Sequence, residues 1–229
     1  MLRPKKKISK REMKEDALVT TYFKATTFYE THKKNISMGL VAVLVIVAGT
    51  FFYVKNKNAD NERAMTDLGR VYQMYDNGQY QIAIDGVPER NIPGLRAIVE
   101  NYGGTEGGNM ARFYLANAYF LTGKYDEALE AFEDFSTSNQ VLEVSRLSGI
   151  AACYEAKREY KEAADYFEKA ASKYGKDVHA ADNLNHAAAN YALAGEKEKA
   201  LDLYKKLKKS YPTSSAARDA DRFIAQLSV

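Results

Sequence analysis

Cysteine is nearly missing from this chain: Cys153 is the only one among 229 residues. That excludes an intrachain disulfide and any cluster of thiolates around a metal. Prolines number four and histidines three, and no serine or cysteine stands in a setting that would activate it. No catalytic residue, metal or cofactor is expected, and the chain is not read as an enzyme. Strand chemistry is equally thin. What remains is long runs of Ala, Glu, Lys, Leu and Tyr, with 46% hydrophobic and 12% aromatic residues. This predicts an all-α protein with enough apolar material for a packed core.

Charge is absent from one stretch and uneven elsewhere. Residues 1–37 carry ten Lys/Arg against four Asp/Glu, and residues 55–229 carry 23 against 26. Between Lys34 and Lys55 lie twenty uncharged residues, 35-NISMGLVAVLVIVAGTFFYV-54. At about 1.5 Å per residue, a helix of that length matches a hydrocarbon core of roughly 30 Å. Phe51, Phe52 and Tyr53 gather at one end, where aromatic rings favour the headgroup region. Residues 35–54 are therefore predicted to be a transmembrane helix in contact with lipid. A cleaved signal peptide fits less well, because the head is long and Val47-Ala48-Gly49 is only a fair imitation of a cleavage site. Lys33, Lys34 and 1-MLRPKKKISKR-11 keep residues 1–34 on the cytoplasmic side. Residues 55–229 then lie across the membrane, in the periplasm of a Gram-negative bacterium with the span in its inner membrane. Nucleic acid is the other partner a basic head suggests, and the span that follows argues against it. In 17-ALVTTYFKATTFYETHKK-34, Leu18, Tyr22, Ala25 and Tyr29 recur at helical spacing, flanked by Phe23 and Phe28. An amphipathic helix lying on the membrane and a helix that extends the span into the cytosol are both consistent with this.

The body repeats itself. The segments 115-LANAYFLTGKYDEALEAFEDF-135, 150-IAACYEAKREYKEAADYFEKA-170 and 187-AAANYALAGEKEKALDLYKKL-207 align without a gap, at steps of 35 and 37 residues. Tyr119, Tyr154 and Tyr191 coincide, as do Ala128, Ala163 and Ala200, and Phe132, Phe167 and Tyr204. Gly123 and Gly195 suit a left-handed cap at the end of a first helix, where the middle unit has Arg158. These residues, with Pro212 closing the last unit, resemble the tetratricopeptide repeat family. The resemblance covers residues 109–212 and implies a solenoid of paired helices. Residues 59–102 read as a degenerate unit. Leu68, Gly69 and Tyr72 suit its first helix, while Gly78, Tyr80 and Ala83 lie two residues out of register with them. Pro88 and Pro93 break its second helix. A capping helix is expected over 214–228, with the stripe Ala217, Ala220, Phe223, Ile224 and Leu227.

The glycine-rich run 102-YGGTEGGNMARFY-114 raises the question of a phosphate loop. No strand precedes it and no lysine is placed for phosphate. Tyr102-Gly103-Gly104-Thr105 matches Tyr174-Gly175-Lys176-Asp177 and Tyr211-Pro212-Thr213-Ser214, each closing a helical hairpin and offering a capping side chain. It is read as an elbow. His179 and His186, with Asp177 and Asp182 nearby, allow a metal site, although surface histidines on a solenoid edge are far commoner. Cys153 reads as a small core residue, and 126-DEALEAFED-134 as a solvated face.

The family resemblance implies a binding groove lined by first helices. It places Met110, Phe113, Asn117 and Phe120 there, then Ser148, Ala152 and Glu155, then Asn185 and Ala189. Segment 94–102 is the candidate to fold over Phe113 and Phe120. A basic head, one span and an exported repeat body together resemble the YfgM-like proteins, the ancillary subunit family of the bacterial Sec translocon. That resemblance implies an interaction scaffold binding exported chains or periplasmic chaperones. The other reading is a structural subunit of a different large inner-membrane complex, respiratory, photosynthetic or secretory.

Overall fold

Helix α1 runs from Lys10 to Asp76 in a computed structural model that describes residues 10–173 and 178–227. The chain divides into two units, Met1–Asn56 and Lys57–Val229. The basic residues 1–9 and the elbow Tyr174–Asp177 lie outside the described residues. In the first unit, α1 contains a segment long and apolar enough to cross a membrane. Its side chains are out in the open, Leu40, Leu44, Ile46 and Phe51 each being at least 60% exposed. Its hydroxyls are satisfied within the helix: Ser37 Oγ donates to Lys34 O at 2.9 Å and Thr50 Oγ1 to Ile46 O at 2.8 Å. A lipid-facing helix needs this, since hydrocarbon offers a polar group no partner. Residues 17–34 are helical as well, with Leu18, Tyr22, Phe23, Phe28 and Tyr29 exposed.

The second unit is a series of helical hairpins. The end of α1 is followed by α2 (Tyr80–Asp85) and α3 (Leu95–Tyr102). Next come the pairs α4 (Glu106–Leu121) with α5 (Tyr125–Asp134) and α6 (Gln140–Ala156) with α7 (Tyr160–Lys173). Then α8 (Val178–Leu193) pairs with α9 (Lys197–Ser210), and α10 (Ser215–Leu227) closes the stack. From α3 onward each helix packs on the next, and α10 also reaches α8.

One turn is used four times. The N–H groups of Gln79, Lys124, Glu159 and Glu196 each return to the carbonyl five residues back, on Met74, Tyr119, Tyr154 and Tyr191, at 2.9 Å. The preceding residues Gly78, Gly123, Arg158 and Gly195 are all left-handed, as this helix-ending bond pattern requires. The turn also corrects the register expected for the first unit. Gly78, Tyr80 and Ala83 are in step with Gly123, Tyr125 and Ala128, so Met74 stands where the others have tyrosine. Val71, fully buried, takes the place of the buried Ala116, Ala151 and Ala188. Gly69 is exposed with open space around it, so it marks no close helix crossing.

Small residues sit where helices cross: Ala128, Ala163 and Ala200 are fully buried, with Phe132, Phe167 and Tyr204 beside them at 1–4% exposure. The second helix of the first unit stops earlier than its prolines, at Asp85. There the chain leaves through Gly86 (φ +84°) into a hairpin of β1 (Gly86–Val87) and β2 (Ile92–Pro93). Pro88 opens the short 3-10 turn between the strands. Gly86 and Gly94 bring the two ends of this excursion together. A Cβ on Gly86 would lie 2.8 Å from Pro93 C, and one on Gly94 would press on the backbone of Ile84, Asp85 and Gly86. The expected capping helix is in place, with Ala217 and Ala220 buried and Phe223, Ile224 and Leu227 packed against the core. Ser214 Oγ accepts from Ala217 N–H at 3.1 Å to start it.

The glycine-rich elbow is held by side chains of the chain itself. Thr105 Oγ1 accepts from Gly108 N–H at 3.1 Å, and Asn61 Oδ1 on α1 accepts from Gly107 N–H at 2.7 Å. A Cβ on Gly107 would come within 2.9 Å of Ala64 Cβ, so the glycine lets α4 begin directly against α1. The helix N-terminus is thus occupied by Thr105 and Asn61.

Candidate protein-interaction face

Along α4, α6 and α8 the predicted residues recur every three or four positions, the spacing of one helix face. Met110, Phe113, Asn117, Phe120, Ser148, Ala152, Glu155, Asn185 and Ala189 are all half-buried. Several are already engaged. The Phe113 ring lies 5.1 Å from that of Phe135 and 6.1 Å from Phe132, and Phe120 lies 5.6 Å from Tyr125. The rings covering them come from α5 and its end, and not from segment 94–102 as expected. Helix α3 instead meets α4 at Tyr119, whose hydroxyl accepts from Arg96 Nε at 3.2 Å. Asn117 Nδ2 donates to Phe113 O at 2.7 Å.

Two polar rungs join α6 to α8. Ser148 Oγ donates to Asn183 Oδ1 at 2.8 Å, and Asn190 Nδ2 donates to Glu155 Oε1 at 3.0 Å. Asn190 is fully buried, and its Oδ1, like that of Asn185, has no partner. Sequence reasoning missed Asn183 and Asn190. Both stand 35 residues after their partner, two short of the 37-residue step between these units, so the repeat alignment gave no signal for them. It also missed Leu121 and Leu193, at equivalent places and 50% and 60% exposed, and Tyr72 and Tyr75 of α1, which the shifted register had displaced. With the register set by Gly78, these two take the places of Asn117 and Phe120.

A cleft of about 300 Å³ opens between α6, α7 and α8, lined by Val144, Ser148, Phe167, His179, Asn183 and His186 among others. The His186 ring stacks on Phe167 at 4.9 Å. Among the described residues, no three His, Cys, Asp or Glu side chains gather as a metal site. Cys153 is fully buried, and burial pushes its thiol up to about 12, which leaves it without nucleophilic character at neutral pH. Burial also raises the Tyr191 phenol, helped by its hydroxyl donating to Asp165 Oδ1 at 2.5 Å. In 126–134 the carboxylates are exposed, and Asp126 Oδ1 meets Lys157 Nζ at 2.8 Å. Together these side chains supply rings, amides, hydroxyls and carboxylates.

The profile of the family described as tetratricopeptide repeat-like domain matches residues 26–174, and that of the tetratricopeptide repeat matches residues 184–214. Among solved structures, two of TPR-like repeats from a Podosopora anserina protein described as a kinesin light chain superpose with TM-scores of 0.55 and 0.56. Both are 17% identical to this chain and cover 73% of it, and 85% and 86% of their own length. At that identity the likeness is one of fold. No curated protein sequence matches the chain.

Proposed function

Because the chain belongs to the tetratricopeptide repeat-like domain family, we propose that it is a protein–protein interaction scaffold held to a membrane by residues 35–54. Within that class, the reading is an accessory subunit of bacterial protein export that binds exported chains or periplasmic chaperones. One observation carries the membrane part. A helical stretch without charge and with no buried residue in its apolar window is flanked by Lys33, Lys34 and Lys55, and water would not tolerate its Leu, Ile, Val and Phe side chains. The domain layout is then 1–34 in the cytoplasm, 35–54 across the inner membrane and 55–229 in the periplasm. Likeness of layout to the YfgM-like proteins supports the export role. The nine predicted face residues, half-buried along successive first helices, would contact the partner.

A second reading, a bracing subunit of another large membrane complex, is favoured by one observation. Phe113, Asn117, Ser148 and Glu155 are already spent on contacts within the chain, as suits a face that holds shape rather than samples clients. In-membrane crosslinking at native level, with partners identified by mass spectrometry, separates the two. Channel subunits and periplasmic folding factors are expected; constant stoichiometry with a different complex would overturn the export role. Protease reaching Lys124 or Lys208 from the cytoplasmic side, in inverted vesicles, would overturn the orientation.

A further inference from the structure

Helix α1 leaves an apolar side uncovered before its uncharged stretch begins. Leu18, Tyr22 and Tyr29 are each at least 59% exposed, and Ala25 between them is exposed as well. From Leu18 the steps run four, three, four, three and four, through Tyr22, Ala25, Tyr29 and His32 to Ile36. The same alternation carries on past Gly39 to Tyr53 without meeting a charged residue. Lys24, Glu30 and Lys34 point to other sides of the helix, and Lys33 flanks the series. The bilayer surface is not what covers this side. A segment lying on headgroups beside a crossing helix needs a bend between the two. α1 is unbroken from Lys10 to Asp76, and residues 17–38 hold no proline or glycine at which it would kink.

The period selects a second helix as the cover. A straight α-helix drifts about 20° per seven residues against a 3.5-residue repeat, so from Leu18 to Tyr53 the series would turn by about 100°. It keeps to one side only where two helices wind around each other in a left-handed supercoil. We propose that residues 18–53 form a parallel two-stranded seam with the same residues of a second copy of this chain. Two copies insert in the same direction and to the same depth, so each layer of the seam meets itself without stagger. Ala25 leaves room for the Tyr22 and Tyr29 rings on either side of it. Gly39 has open space within 4 Å of where a Cβ would stand, which lets two backbones approach inside the span. Polar groups on the series are satisfied within each helix: His32 Nδ1–H donates to Phe28 O at 3.0 Å and Thr50 Oγ1 to Ile46 O at 2.8 Å. The charges agree as well. Flanking positions five residues apart face each other across a parallel pair, which sets Phe28 beside Lys33 of the other copy, ring against ammonium, on both edges. The inference rests on the membrane reading given above and names the occupant of one side of the anchor. Joined anchors offer a partner two repeat faces at once, which raises apparent affinity without a new contact.

The test uses the full chain in isolated membranes, carrying Cys153→Ala and one introduced cysteine, oxidised with copper phenanthroline and resolved without reductant. Leu18→Cys and Ala25→Cys, on the series, are expected to give disulfide-linked dimers. Thr20→Cys and Thr27→Cys, on the far side of the helix, are expected to give none. Ala25→Lys sets two ammonium groups against each other and should abolish the Leu18→Cys dimer, while alkaline carbonate still leaves the chain in the membrane. No dimer from Leu18→Cys or Ala25→Cys, equal dimer at all four positions, or a Leu18→Cys dimer untouched by Ala25→Lys would each overturn the proposal. Linkage to a different protein in place of a second copy would do the same. Release of the parent chain by carbonate would sink the membrane reading and the seam with it; retention without crosslinks sinks the seam alone.

Discussion

Arg158 holds a φ of +63° where Gly78, Gly123 and Gly195 take +75°, +78° and +81°. A side chain in the left-handed region costs about 1–2 kcal/mol, partly offset by the freedom a glycine would bring to the unfolded chain. Arg158→Gly is therefore expected to stabilise the repeat unit by about 1 kcal/mol, read as a higher urea midpoint at unchanged slope. Gly149 is the opposite case: a Cβ there would lie 2.7 Å from Phe132 Cε1. Gly149→Leu should overpack that contact and cost about 1–3 kcal/mol in the same assay. The left-handed glycines were legible at this scale, because a glycine after a periodic apolar stretch has one common use. Asn183 and Asn190 were not. A polar residue on a helix reads as solvated until its partner, one repeat away, is known.

At the scale of elements, hairpin 86–94 enters and leaves the stack at nearly the same point, since Gly86 and Gly94 press backbone on backbone. Gly94→Ala would drive a methyl group into the Ile84–Gly86 backbone, and a loss of about 1–3 kcal/mol is expected. The rungs between α6 and α8 make a second element-level prediction. A double-mutant cycle of Ser148→Ala with Asn183→Ala should give a coupling of about 0.5–1.5 kcal/mol. Zero coupling would mean that the rung adds no stability. The clear hairpins were legible because Tyr, Ala and Phe/Tyr recur at steps close to 35. The first was misregistered because Gly69 offered a false small residue, while the true crossing position carries Val71. The two-residue strands escaped notice because ordinary strand signals need longer alternation. The cover over Phe113 was misassigned because its ring partner Phe135 stands where the other two units have Ala170 and Leu207, so the repeat pattern did not mark an aromatic there.

For the whole molecule, the described core of the repeat unit falls mainly into two clusters, Ala64 to Cys153 and Ala151 to Ala220, both touched by Tyr154 and Tyr166. Ala64, Leu68 and Val71 of α1 belong to the first. A fragment of residues 57–229 should therefore fold as a helical, cooperatively melting body. One beginning at residue 77 should lose the first cluster, and circular dichroism melting of both fragments checks this. The pH response follows from groups raised by burial: Cys153 and Tyr75, each to about 12, and Tyr191 and Tyr204. In the unfolded chain these ionise from about 8.5 for cysteine and about 10 for tyrosine. Below those values both states hold their protons and the stabilisation is whole. Above them only the unfolded state releases protons, so stability falls as pH climbs toward 12. The urea midpoint should be flat from pH 7 to about 8 and decline beyond, with Cys153→Ala removing the earliest part of the fall. The pinched hairpin, finally, gives the molecule a spare address: a fluorophore or epitope spliced between Glu89 and Asn91 would report on the body from outside while the helices beneath it keep their places.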